Sequence, residues 1–473
     1  MPTVTTTVTG GSNNRAMVDL CPTARVHLLG VGGAGMSAIA VVLRGLGCRV
    51  SGSDLAGSPV LDRLREIGVD VFVGHHVANM PDADLVARST AVGDDNPEVV
   101  AARQAGIPVY RRAEILTAIT ALRSTVAVAG THGKTTTAAM LSHILMAVGA
   151  DPGFIVGAVL ADGSIGARWS EGPWLVVEAD ESDGTFGELI VSRAVVTSVE
   201  PDHLRRDRPV AELEAEFARF CAGAADGLVV CADDAGAVKA SESRDGVFYG
   251  TGPDADYRWT TLRRDRHMIV GEVTGRDVPP GPVTVPMPGD HNALNALGAL
   301  AMARELGVDW SDAANAMAGF EGVTRRFERR GTAAGVDFID DYAHLPTEVA
   351  CALKAASEGG WDRVVCVFQP HRYTRTSHLW TAFAHCFEAA DAVIITDVYS
   401  AGESAIPGVS GKLIWQAVTD AHPDWDVSYV ERLDDAADHL VGVLRPGDLC
   451  LTLGAGDLTD VPGRVISMLA GRR

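Results

Sequence analysis

Residues 127–137 read Ala127-Val-Ala-Gly130-Thr-His-Gly133-Lys134-Thr-Thr-Thr137: an apolar run, two spaced glycines, a lysine and three hydroxyls. The pattern predicts a strand over Ser124–Ala129, a turn, and a helix over Thr136–Val148. Such a turn directs backbone N–H groups at one anion, and the helix behind it aims its positive end at the same spot. Lys134 adds a charge, and the Thr135 hydroxyl can hold Mg²⁺. Val128 stands where the general phosphate-loop pattern, G-x-x-x-x-G-K-S/T, has its first glycine. The β-branched Thr135–Thr137 open a helix poorly unless they have another task. The stretch reads as an ATP site.

Outward from it, strands alternate with helices, which implies parallel βαβ units. Upstream, strands are expected at Arg25–Leu29, Arg49–Gly52, Val69–Val73, Leu85–Ser89 and Pro108–Tyr110, with a helix over Gly35–Leu46. Downstream, Trp174–Glu178 and Ala194–Ser198 are apolar throughout, as strands covered on both faces are. Gly250–Pro288 reads as a short antiparallel insertion before a helix over Asn292–Leu306. A third block has strands at Asp337–Ile339, Val364–Phe368, Ala392–Thr396 and Asp448–Leu453. Joints are placed near residues 123 and 327, and residues 1–20 read as a disordered arm.

At 473 residues the chain suits two to four domains. No apolar run reaches the roughly 18 residues of a membrane span. The Thr/Gly/Asn-rich start lacks the apolar centre of a signal peptide, so a cytoplasmic protein is expected. A net charge of −21 argues against nucleic acid and anionic membranes. Eight cysteines stand singly, without a CxxC pair, as reduced thiols do. A monomer and a dimer fit the sequence equally.

Several other motifs sit where strands end. Gly30, Gly32 and Gly35 form G-x-G-x-x-G after the first strand, and Asp54 ends the next. That is the dinucleotide fingerprint, although its spacing fits the pyrophosphate of any nucleotide, NAD included, and a packing turn remains the plain alternative. Glu178, Asp180, Glu181 and Asp183 follow an apolar strand, where acids either hold Mg²⁺ or are simply solvated. Asp202-His203 ends the neighbouring strand, His203 being a ligand or a structural residue. Asn292 reads as a helix cap, while Asn295 has the donor and acceptor to meet an adenine edge. His371, Arg372 and Arg375 make an anion clamp or a solvated basic loop.

Together these segments resemble the Mur ligase family from Arg25 onward. The likeness rests on HLLGVGGAGMSAIA, GTHGKTTTAAM, VEADESDGTF, GDHNALNA, TRRFE, DDYAH, QPHRYTRT, DVYSAGESAIPG and LGAGD, in the family's order. It implies a Rossmann-like domain for a UDP-sugar (21–123), a P-loop-type central ATPase with a mostly parallel sheet (124–327) and a Rossmann-like domain for the amino acid (328–473). The implied reaction phosphorylates the lactyl carboxylate of UDP-N-acetylmuramate from ATP, with Mg²⁺. The amine of L-alanine then displaces phosphate.

By position, Gly30, Gly32, Gly33, Gly35, Met36, Ser37 and Asp54 would take the UDP-sugar. Gly130, Thr131, His132, Gly133, Lys134, Thr135 and Thr136 would hold the ATP phosphates. His291, Asn292 and Asn295 would lie at adenine, and Arg326 at phosphate. Thr135 and Glu178 would bind one Mg²⁺ and His203 a second. Tyr342, His344, His371, Arg372 and Arg375 would bind the amino acid, and Asp341 would receive its proton. Leu345, Arg205 and Ala405 depart from the family's usual His, Asp and Pro. Those departures leave an inactive regulatory relative as an alternative. The ligase of recycled tripeptide is another, but usually has Tyr where Ser182 stands.

Overall fold

The structure, a computed structural model, describes residues 18, 20–80, 82–180, 185–200 and 210–471. The expected amino-terminal arm lies almost wholly outside them, as do Glu181, Asp183, His203 and Arg205. The described residues form three sheets flanked by helices, an α/β protein of three domains.

In the first domain the strands are β1 (Arg25–Leu29), β2 (Arg49–Asp54), β3 (Asp70–Val73), β4 (Leu85–Arg88) and β5 (Val109–Arg111). Between them run α1 (Ala34–Gly45), α2 (Pro59–Glu66) and α3 (Pro97–Gln104), and α4 (Arg112–Thr120) follows. All pairs are parallel, in the order β3-β2-β1-β4-β5. The strand order reverses between β1 and β4, so the crevice at their carboxyl ends is the natural ligand position. The Gly30–Gly35 loop lies there.

The central sheet starts with β6 (Ser124–Ala129), followed by α5 (Lys134–Ala147), β7 (Gly153–Val159), β8 (Ile165–Arg168), β9 (Trp174–Ala179) and β10 (Arg193–Val196). Then come α6 (Val210–Gly223), β11 (Gly227–Cys231), α7 (Ala235–Ser241) and β12 (Val247–Gly250). A meander of β13 (Tyr257–Arg264), β14 (Ile269–Gly275) and β15 (Pro282–Val285) precedes α8 (Asp290–Glu305) and α9 (Trp310–Met317). The meander is antiparallel as expected, but it is not a separate insertion. It extends one ten-stranded sheet through the parallel pair β12–β13. Alternate residues Tyr257 and Trp259 are buried, and Tyr257 stacks on Trp310 of α9 at 5.7 Å, which fastens the extension to the core.

β6 lies between β10 and β9, so strand ends flank the loop after it on both sides. α5 is buried from Lys134 to Leu145 almost without interruption, because α8 covers the face that the sheet does not. It starts at Lys134, two residues earlier than expected. Gly133 takes φ +79 and completes the turn, which releases Lys134 into the helix. α8 likewise starts at Asp290, with Gly289 before it. Asn292 is therefore not a cap: it lies inside the first turn, and its amide donates to Pro288 O at 2.8 Å.

The third domain contains β16 (Glu328–Ala333), β17 (Val336–Asp341), α10 (Pro346–Ser357), β18 (Arg363–Phe368) and α11 (Tyr373–Leu379). After these run β19 (Ala392–Ile395), α12 (Gly411–Ala421), β20 (Val427–Tyr429), α13 (Leu433–Val443), β21 (Asp448–Leu453) and α14 (Val461–Ala470). The order is β16-β17-β21-β18-β19-β20, parallel except for the edge strand β16.

The first two domains share a hydrophobic core. Met36, Ile39, Val42 and Leu43 of α1 belong to one buried cluster with Ile155, Ala167, Leu175 and Val177 of the central sheet. Gly45 makes the fit possible, since a Cβ there would lie 2.5 Å from the Trp169 Cβ. The buried clusters of the third domain contain no residue of the other two sheets.

A buried carboxylate organises the first domain. Glu98 of α3 is fully buried and accepts from Ser53 Oγ (2.6 Å), Asn79 Nδ2 (2.6 Å) and His76 N (2.8 Å), with His27 Nε2 at 3.4 Å. Burial alone would raise its pKa, but these donors outweigh it and hold the carboxyl at about 2 against an ordinary 4.5. The folded value is the depressed one, so this stabilisation is present above pH 4.5 and is lost as pH falls toward 2. Glu98→Gln should cost about 1–3 kcal/mol at neutral pH. It should also flatten the acid limb of a stability–pH profile in that window, measured by circular dichroism melts.

Candidate active site

The loop after β6 is built against its neighbours. Gly130 adopts φ +143, and a Cβ there would lie 2.1 Å from Thr197 Oγ1 and 2.8 Å from Ser198 N. Thr131 N donates to Ser198 O (2.9 Å), His132 N to Ser198 Oγ (3.0 Å), and Glu200 N to Thr131 Oγ1 (2.9 Å). At Gly133 a Cβ would meet Asn295 Oδ1 at 2.2 Å. Lys134, buried, folds back over the loop and donates to Gly130 O (2.5 Å) and Thr131 O (3.2 Å). Thr131 N and His132 N are thus taken by Ser198, and the anion position is the N-terminus of α5, with the Lys134 ammonium beside it. Thr136 is buried within α5.

Thr135 Oγ1 donates to Glu178 Oε1 at 2.8 Å, and Glu178 Oε2 accepts from Gly157 N at 2.7 Å. A hydroxyl and a carboxylate at the mouth of the loop are hard oxygen donors, the set that suits Mg²⁺. Arg326 arrives from the domain junction, with Nη2 3.4 Å from Thr135 Oγ1. The chain turns back there through Arg325 and Phe327, both left-handed at φ +58 and +51.

The asparagines of α8 are placed differently from expectation. Asn295 is buried, with Oδ1 accepting from Thr137 Oγ1 (3.3 Å) and Nδ2 donating to Asn292 Oδ1 (3.3 Å). Both ends of the amide are thus engaged under the loop. His291 lies beside them at the junction, its pKa brought down to about 4 by burial.

In the third domain, Tyr342, His344, His371 and Tyr399 follow one another at ring separations of 5.4, 5.5 and 5.7 Å. Arg325 and Arg326 lie over the Tyr342 ring at 5.1 and 5.0 Å. His344 Nδ1 faces two acceptors, Tyr342 O (3.0 Å) and Glu348 Oε2 (3.2 Å), so Nδ1 carries the proton and Nε2 is an acceptor. Burial lowers its pKa to about 3, and the ring is neutral. Burial and then Arg375 bring His371 to about 4, and its Nδ1 accepts from Arg375 at 2.9 Å. Arg372 is exposed at φ +69, its N–H bonded to Tyr399 O at 2.8 Å.

Asp341, expected to receive a proton, is used by the backbone. Oδ2 accepts from Phe327 N (2.7 Å) and Oδ1 from Ala343 N (2.8 Å), and burial raises its pKa to about 6. In the first domain Gly30 N and Val31 N donate to Ser53 O at 2.9 and 3.2 Å, and Gly32 N to Asp54 Oδ2 at 2.8 Å. Met36 is a core residue and Ser37 Oγ turns back to Ala34 O (3.0 Å). Neither side chain faces the crevice, so only their backbone could serve a ligand. The guanidinium of Arg112 lies there instead, 2.5 Å from where a Gly35 Cβ would stand. Arg112 was not among the expected residues, although the arginine pair Arg111-Arg112 where β5 ends was a visible signal.

Family models match the chain in three blocks: the Mur ligase family catalytic domain over residues 25–124, the Mur ligase middle domain over 170–303, and the Mur ligase glutamate ligase domain over 325–456. The UDP-N-acetylmuramate–L-alanine ligase of Agrobacterium fabrum is 41% identical over 446 residues, which is 92% of this chain and 94% of that protein. The chain belongs to the Mur ligase family. A ligase of the same name from Pelotomaculum thermopropionicum is 43% identical, over 92% of this chain and 95% of its own. The crystal structure of the UDP-N-acetylmuramate–alanine ligase of Thermotoga maritima matches with a TM-score of 0.81 and 29% identity, covering 95% of this chain and all of that one (100%). A murein peptide ligase from Psychrobacter arcticus shares the fold, with a TM-score of 0.68.

Mur ligases are ATP-dependent ligases, which removes the nicotinamide reading of the first glycine loop. Of the departures from the family pattern, Leu345 is a buried residue immediately before α10. It replaces the family's second histidine with an apolar contact and leaves His344 in place. Arg205 and His203 lie outside the described residues. The phosphate loop depends most sharply on Gly130. Gly130→Ala should destabilise the protein by about 2–4 kcal/mol in chemical denaturation and abolish ATP turnover.

Proposed function

We propose that this Mur ligase joins L-alanine to the lactyl carboxylate of UDP-N-acetylmuramate, with cleavage of ATP to ADP and phosphate, in the cytoplasmic synthesis of peptidoglycan precursors. The full-length likeness to ligases of that name carries the reading. The site supports it, because the phosphate loop, the Thr135–Glu178 pair and the Tyr342–His344 pocket meet at one junction around Arg326. No helix among the described residues is long and apolar enough to cross a membrane.

In this reading the Gly30–Gly35 crevice, with Arg112, takes the UDP pyrophosphate, Asp54 accepts from a sugar hydroxyl, and the lactyl carboxylate is presented to the central domain. Lys134 and the N–H groups of Gly133, Lys134 and Thr135, where α5 begins, take the β- and γ-phosphates, so that charge moving onto the carboxylate oxygen meets fixed donors. Thr135 and Glu178 would hold one Mg²⁺, which neutralises phosphate charge when bound. His203 remains the candidate for a second. His291 would meet adenine, while Asn295 and Asn292 act through the loop they support.

The γ-phosphoryl group passes to the carboxylate, giving an acyl phosphate and ADP. The alanine amine adds to the acyl carbon, and phosphate leaves with the C–O bond pair and takes up the proton that the amine gives off. His371, Arg372 and Arg375 receive the amino acid's carboxylate. His344 Nε2, an acceptor by the tautomer its neighbours impose, takes a hydrogen bond from the amine. Asp341 holds the junction that presents these groups.

Phosphate release from ATP should require both UDP-N-acetylmuramate and L-alanine, and tripeptide should not replace alanine. Release without alanine, or with tripeptide only, would sink the reading. Lys134→Ala should lower turnover by at least about 10³-fold while UDP-N-acetylmuramate binding, by calorimetry, changes little. Glu178→Gln should raise the Mg²⁺ concentration for half-maximal activity about tenfold, the loss of one charged ligand.

A further inference from the structure

The phosphate loop and the amino-acid pocket belong to different domains, yet one carboxylate touches both. Glu348 lies in the first turn of α10. Its Oε2 accepts from His344 N at 3.0 Å and faces His344 Nδ1 at 3.2 Å. Its Oε1 lies 3.3 Å from Nδ1 of His132, in the middle of the phosphate loop. The other nitrogen of His132 faces Glu200 Oε2 at 3.4 Å, and that same oxygen accepts from Thr347 Oγ1 at 3.3 Å. The loop histidine is thus held between a carboxylate of its own domain and one of the next.

An acid in the first turn of a helix has an ordinary explanation, favourable interaction with the helix's positive end. That explanation accounts for the contact with His344 N. It does not account for the second oxygen, which is given to a residue 216 positions away in sequence. Nor does it account for the charge balance. Burial opposes ionisation of Glu348, but His344, His132 and Arg326 overcome it and hold the carboxyl well below its ordinary value. A carboxylate kept ionised beside a phosphate site would repel ATP if nothing stood between them. His132 stands there.

We propose that Glu348 is a positioning residue that couples the phosphate loop to the amino-acid pocket, holding His132 with one oxygen and His344 with the other. The setting of His344, and with it the capture of the amino acid, then depends on how the loop is held. This deepens the ligase reading above and rests on it.

The test is a double-mutant cycle on the full chain with KM for L-alanine and KM for ATP as separate readouts. His132→Ala, in the central domain, should raise KM for alanine about tenfold, the size of one charge-assisted hydrogen bond. Glu348→Ala should do the same, and the double variant should be no worse than either single one. Glu348→Gln keeps an acceptor for His344 N and should melt within a few degrees of wild type, yet still raise KM for alanine. If His132→Ala changes KM for ATP alone, or if the two effects multiply, the coupling is wrong. A wild-type KM for alanine in a well-folded Glu348→Gln variant would also overturn it. A wild-type protein that releases no phosphate with alanine would instead overturn the ligase reading, and this inference with it.

Discussion

The turn between β6 and α5 must pass through a space that other backbone already occupies. Gly130 runs against Thr197 and Ser198 at the end of β10, and Gly133 runs against Asn295 of α8. A side chain at either position would push the loop away from one of the two walls that shape it. With both glycines in place, the loop's amide groups are held by neighbours that are themselves set by the sheet and by α8. Thr135, Lys134 and His132 inherit their positions from this constraint. Through them so do Glu178, Arg326 and Glu348, which lie on three different parts of the fold.

A second set of polar contacts fixes the far wall. The Arg325 guanidinium donates to the carbonyls of Gly454, Ala455 and Gly456 after β21, and pairs with the buried Asp340. Arg325 O in turn accepts from Tyr342 N, and Asp341 takes the N–H groups of Phe327 and Ala343. Of the two acids that end β17, Asp341 therefore acts on the backbone of the junction and Asp340 on the Arg325 side chain. Carbonyls that would otherwise end a strand without partners are satisfied by one planar cation, which suits five donors in a fixed fork.

Much of this was legible in the sequence, for a physical reason. The phosphate loop, the first glycine loop and the strand-end motifs are local patterns, in which a few adjacent residues must meet backbone requirements of their own. The long apolar strands were equally visible. What stayed hidden was set by distance along the chain. Asn295 offers an adenine-like donor and acceptor, but Thr137 and Asn292 use both. Asp341 has the chemistry of a base, but its oxygens are engaged by backbone two and fourteen residues away. Glu98 and Glu348 carry no local signature, and each matters because of what the fold brings to it. The edge strands β8, β16 and β20 were missed for a related reason: they are short or mixed in polarity, and their partners rather than their residues make them strands.

The shared core beneath α1 has a mechanical consequence. Where apolar side chains from two domains interlock in one cluster, relative motion exposes them to water and opens voids, so the pair behaves as a single rigid block. At the second joint no such cluster of described residues spans the boundary, and the contacts include hydrogen bonds, ion pairs and the cation–π contacts of Arg266 with Trp361 and Arg326 with Tyr342. The joint without a shared apolar core is the turn at Arg325 and Phe327, both left-handed. On the reading proposed above, the sugar nucleotide and ATP would lie over the one core and the amino acid beyond that joint.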